Sequence, residues 1–125
     1  MHDFEHTVTD LAIENEYPKL VRDRIPEIIK EQDGWDVPVE VLDDTMFEQR
    51  LRQKIVEEAV ELATADSETH LLEEIADVHE ILDELEKLKG FTQEQVKIVQ
   101  DQKREKRGGF KKRLLMLSNK VVSDQ

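Results

Sequence analysis

Residues 46–89 read MFEQRLRQKIVEEAVELATADSETHLLEEIADVHEILDELEKLK, and the spacing of their apolar and acidic positions decides the fold. Thr45, followed three residues later by Glu48, is a capping-box pattern that opens a helix over 46–65. Phe47, Leu51, Ile55, Ala59 and Leu62 recur at steps of three and four, the helical period. Ala65-Asp66-Ser67 then breaks the run, with Asp66 or Ser67 placed to cap a second helix over 68–89. Leu71, Ile75, Val78, Leu82 and Leu85 keep the same spacing along it, and Gly90 closes it as a left-handed cap. A break of about three residues makes the two helices antiparallel neighbours.

Working outward, Thr92 and Gln95 form another capping-box pattern, and a third helix should reach Arg107 before Gly108-Gly109 stops it. Upstream, YPKLVRDRIPEIIKEQDGW (17–35) places Pro26 in a first helical turn, Ile25, Ile28 and Ile29 on an apolar side, and Asp33-Gly34 at the close. DVPVEV (36–41) reads as a short edge strand or a connector. Residues 1–16 read as a flexible arm, and the tail carries Leu114 to Leu117, apolar enough to pack on something. The expectation is an all-α antiparallel four-helix bundle, with 17–125 as one domain.

Composition removes several function classes. No window approaches the ~20 apolar residues of a membrane span, so no membrane partner is expected. The acidic N-terminus is neither a secretory signal nor an Arg-rich transit peptide, and the chain has no cysteine; both fit a cytoplasmic setting. With 30 Asp and Glu against 18 Lys and Arg, the net charge is −12, which repels duplex nucleic acid. The charge is polarised. Between Glu57 and Glu86 lie twelve acids and no Lys or Arg, whereas KREKRGGFKKR (103–113) has seven basic residues against one acid. Such blocks either pair across a bundle or hold metal ions and an anion side by side.

Helical wheels sharpen the choice. With Leu51 at zero, Glu58 falls at about −20°, inside the apolar arc, and Glu61 at about −80°, on its edge beside Lys54. Glu57 points to the polar side. With Leu71 at zero, Glu74 falls at about −60° and Asp77 at about −120°, flanking Leu85, Ile81 and Leu88. Glu73 and Glu80 face away, and His70 and His79 are read as lying off the carboxylate edge, with no metal role. Each helix thus turns an i, i+3 carboxylate pair toward the side it buries. Four acids brought together repel one another unless neutralised. Either basic side chains pair with them, or hard divalent cations do; all-oxygen ligands suit Mg²⁺ or Mn²⁺.

Read together, Glu58-x-x-Glu61, twelve residues, then Glu74-x-x-Asp77 resembles the signature of the MazG-like all-α nucleoside triphosphate pyrophosphohydrolases. KIVEEAVEL (54–62) is similar to that superfamily's first motif helix and EEIADVHEIL (73–82) to its second; the segments 17–29 and 103–113 resemble the ends of a house-cleaning subgroup. The resemblance implies hydrolysis of a nucleoside triphosphate between the α- and β-phosphates, giving a monophosphate and pyrophosphate. It implies that Glu58, Glu61, Glu74 and Asp77 bind Mg²⁺, or Mn²⁺ in its place, that activates a water. Glu57 could assist that water or be a solvated glutamate. Lys54 could reach a phosphate or merely pair with Glu58 or Glu61. Lys19 and Arg22 are further substrate-binding candidates, with Lys103, Arg104 and Arg107 at the end of the third helix, where the helix dipole also favours cations. Gly108-Gly109 is a C-cap or a close approach to phosphate, and Trp35 packing or an interface anchor. The apolar stripes exceed what one small bundle buries, and the superfamily implies completion as a homodimer or tetramer. Two alternatives stand: phosphoribosyl-ATP hydrolysis, and a non-catalytic acidic interaction module.

Overall fold

The computed structural model describes residues 17–120. The arm expected over 1–16 lies outside them. The described residues form four helices and no strand: α1 (Ile25–Asp33), α2 (Asp44–Ala63), α3 (Glu68–Lys89) and α4 (Gln93–Arg107). The chain divides into two compact units, one ending at Phe91 with α1 to α3 and one beginning at Thr92 with α4.

In the first unit, Pro26 occupies the first turn of α1, where its missing N–H costs nothing, and Gly34 ends the helix at φ 75°. Residues 35–42 then run as an irregular connector, not an edge strand. α2 begins two residues before the expected start. Asp43, not Thr45, is the N-cap, accepting a hydrogen bond from the Met46 N–H at 2.8 Å. Glu48 is thereby released from the capping box. It pairs instead with Arg52 at 2.8 Å and, across to the end of α3, with Lys89 at 2.8 Å. The Glu48 carboxyl consequently sits below its ordinary range, through the Lys89 hydrogen bond first and Arg52 second.

α2 ends at Ala63, where the Thr64 hydroxyl donates to the Val60 carbonyl at 2.8 Å. Ser67 then caps α3, accepting from the His70 N–H at 3.1 Å, and Gly90 closes α3 at φ 76°. The two long helices pack against each other as an antiparallel pair. Leu51, 1% exposed, is the fully buried side chain at its centre. Phe47, Ile55, Leu62, Val78 and Leu85 are half-buried around it, as the stripes predict. Ala59, Leu71, Ile75 and Leu82 are exposed instead, because one pair of helices covers only part of each stripe.

The second unit opens with the expected capping box. The Gln95 N–H donates to the Thr92 hydroxyl at 3.0 Å, and the Thr92 N–H to the Gln95 side chain at 2.8 Å. Gly108 ends α4 at φ 81°. Beyond it the tail does not pack as expected: Phe110 and Leu114 to Leu117 are all at least 80% exposed.

Candidate metal centre

The facing sides of α2 and α3 form an open cleft of ≈ 280 Å³. Glu57, Glu58 and Glu61 come from α2 and Glu74 and Asp77 from α3, with Lys19 and Lys54 on the rim. Every lining residue belongs to the first unit. The i, i+3 spacing puts each acid pair one turn apart on one helix face, and the antiparallel packing brings the two faces together. All four carboxylates assigned to metal by sequence therefore converge.

Glu74 is the buried acid, 7% exposed, and its Oε2 meets no hydrogen-bond donor. A buried carboxylate oxygen left without a partner costs about 1–3 kcal/mol or more. Beside it, burial pushes the Glu58 carboxyl up to about 7, reinforced by its contact with Glu74 and by the charges of Glu74 and Asp77, and opposed by Lys54. Near neutral pH Glu58 is thus only partly ionised, which eases the repulsion among the gathered acids. A cation can take the place of its proton.

The basic groups divide their attention. Lys54 Nζ lies 3.3 Å from Glu57 and 3.8 Å from Glu58, with all three side chains largely covered. This contact corrects the expectation for Glu57, which turns into the cleft and not toward solvent: it follows Lys54 by three residues and is drawn to it. Arg22, in the segment before α1, donates to Asp77 at 2.8 Å. Lys19 lines the cleft with its Nζ 5.3 Å from the Tyr17 ring centre. Both substrate candidates of that segment therefore reach the carboxylate cluster. Lys103, Arg104 and Arg107 lie on the last turns of α4, in the second unit, exposed to solvent. Arg104 pairs there with Asp101 at 2.9 Å.

One residue set aside by the sequence reading joins the site. His70 Nε2 lies 3.4 Å from Glu74, while its Nδ1 meets Asp66 at 3.2 Å. The Asp66 hydrogen bond, above all, holds this imidazole protonated to a higher pH than usual; burial opposes it, and the charges of Asp66 and then Glu74 reinforce it. The signal was available: His70 precedes Glu74 by four residues, one helical turn, and its wheel angle of about −100° falls between Glu74 and Asp77. His79 stays exposed.

Two overlapping groups can each hold an ion. One ligand atom each from Glu58, Glu74 and Asp77 lie within 4.8 Å of one another, and so do one each from Glu61, His70 and Glu74. Among the described residues, no helix is long and apolar enough to cross a membrane. Comparison of the chain with protein-family models, with curated proteins and with solved structures finds no match.

Proposed function

We propose that this cleft binds Mg²⁺, or Mn²⁺ in its place, and hydrolyses a nucleoside triphosphate at the α–β phosphate bond, releasing a monophosphate and pyrophosphate. The observation that carries the reading is the buried, donorless Oε2 of Glu74 within a cluster of five carboxylates. The donors fit hard divalent ions, since every group of the Glu58–Glu74–Asp77 set is an oxygen. Such ions would supply charge neutralisation for the phosphates and a more acidic water at neutral pH.

The chain's own residues then have distinct tasks. Glu58, Glu74 and Asp77, with Glu61, hold the cations. Glu57, kept in place by Lys54, accepts the proton of the attacking water. Lys54 and Lys19 meet phosphate oxygens at the rim, and Arg22 exchanges Asp77 for the substrate. Phosphoryl transfer asks little covalent help from protein, so placement and charge carry most of the rate. The cleft's ≈ 280 Å³ suits ions and a phosphate group better than a whole nucleotide, so in this reading the base and sugar would lie outside it. We assign the chain to the MazG-like superfamily on the two motif helices, with the bundle completed in a cytoplasmic homodimer or tetramer.

A second reading is favoured by the ion pairs Lys54–Glu57 and Arg22–Asp77, which an acidic interaction module without catalysis would also make. Phosphoribosyl-ATP shares the metal chemistry and belongs in the same test. That test is a pyrophosphate-release panel over standard and damaged nucleotides and phosphoribosyl-ATP, with Glu58→Gln and Asp77→Asn. Turnover that needs Mg²⁺ and disappears in both variants supports the reading. Wild-type turnover in both overturns it.

A further inference from the structure

We propose that Glu61, His70 and Glu74 form a second cation subsite of mixed nitrogen and oxygen donors, which takes an imidazole-favouring ion of the Zn²⁺ or Co²⁺ kind. It would stand beside the all-oxygen group of Glu58, Glu74 and Asp77, with Glu74 common to both. One ligand atom from each of the three residues lies within 4.8 Å of the others, near enough that small side-chain rotations bring all three onto one ion.

Three features separate this subsite from an incidental acid pair. Its central carboxylate, Glu74, is 7% exposed and lines the cleft with an oxygen that no donor satisfies. A histidine supplies the third donor, and imidazole nitrogen shifts preference from Mg²⁺ toward later first-row ions. Finally, Asp66 Oδ1 meets His70 Nδ1 at 3.2 Å, leaving Nε2 turned to Glu74 at 3.4 Å. A carboxylate on the outer nitrogen is the usual way a ligating histidine has its tautomer and ring orientation set. α3 builds the arrangement locally: Asp66, His70 and Glu74 stand at successive steps of four, one turn apart, starting just ahead of the Ser67 cap.

The inference rests on the proposed metal-binding role of Glu74 but not on hydrolysis. The probe is Co²⁺ added to chelator-treated protein, read by proton NMR for a strongly shifted, solvent-exchangeable imidazole N–H, and by titration for affinity. The chain has four histidines, so the assignment comes from substitution. The wild type and His79→Gln should show the shifted resonance and His70→Gln should lose it, with Co²⁺ affinity falling by about tenfold or more. Asp66→Asn should weaken Co²⁺ binding while keeping the resonance. Circular dichroism and melting of His70→Gln verify that its helices are intact. Co²⁺ bound with no imidazole resonance, or equally well by His70→Gln, overturns the subsite. In wild-type protein, Mg²⁺-dependent pyrophosphate release without that resonance sinks this inference alone, and the resonance without such release sinks the hydrolytic reading alone.

Discussion

At the scale of single residues, Glu74 and Glu58 set the behaviour of the cleft. Glu74→Gln removes a buried charge and offers an amide N–H to the neighbouring Glu58 carboxylate. Metal-free stability should therefore rise by about 1–3 kcal/mol, while the stabilisation that Mg²⁺ or Mn²⁺ gives the wild type shrinks sharply. Melting with cation and with chelator measures both; a variant less stable without metal and equally responsive to it refutes the assignment. Glu58 makes a separate prediction in pH. Its folded carboxyl is pushed to about 7, above the ordinary 4.5, so protonation favours the folded state. That contribution is fully present below about 4.5 and is lost as pH climbs through about 7. Metal-free melting temperature should fall across this window, more in the wild type than in Glu58→Gln, and added cation should offset the fall because it displaces the same proton. The convergence of Glu58, Glu61, Glu74 and Asp77 was legible because i, i+3 spacing on an apolar edge survives folding. The inward turn of Glu57 was not, because a wheel treats the edge of a face as sharp, whereas His70 stood on the wheel between Glu74 and Asp77 and was passed over. The covered arc is widened by the Lys54–Glu57 contact and by the facing helix, which a single wheel does not contain.

At the scale of elements, the site depends on where α3 starts. Ser67 sets that point by accepting the His70 N–H, and His70, Glu74 and Asp77 follow at fixed turns. Ser67→Ala should cost about 1 kcal/mol by loss of the cap, and Ser67→Asp should restore it. Fraying of the first turn should also loosen His70 before Asp77, so Co²⁺ affinity should suffer more than Mg²⁺ affinity. Melting and the two titrations check this; equal losses for both ions mean the cap is purely structural. Helix identity was readable throughout, since period, caps and the three closing glycines, Gly34, Gly90 and Gly108, agree. The start of α2 was misread for a definite reason. Asp43 and Thr45 are both good caps, and the pattern preferred the one with Glu48 at the third position. Lys89 and Arg52 compete for that glutamate, and two charge-assisted contacts outweigh one to a backbone N–H.

At the scale of the whole molecule, the imbalance is between apolar content and cover. Among the described residues Leu51 alone is fully buried, while α3 leaves Leu71, Leu72, Ile75 and Leu82 open, Leu72 by 68%. Leu71, Ile75 and Leu82 stand at steps of four and seven, on one side of the helix with Leu72 beside them, the mark of an apolar face. The proposed homodimer or tetramer would cover it. The surplus of apolar stripe is legible within one chain; the residues that would cover it in such an assembly are not, because they would belong to another copy. Sedimentation at micromolar concentrations should then give a mass of twice or four times 14.7 kDa, with a melting temperature that rises with concentration. Leu72→Glu separates the possibilities. On a chain that stands alone, a substitution at so exposed a position changes stability by about 0.5 kcal/mol or less. Within a covered face it places an unpaired charge against apolar surface, so the variant should sediment as a monomer and lose the concentration dependence. A wild type that remains at 14.7 kDa over that range, with Leu72→Glu equally stable, would leave the α3 face to solvent and require the cleft to function from one chain alone.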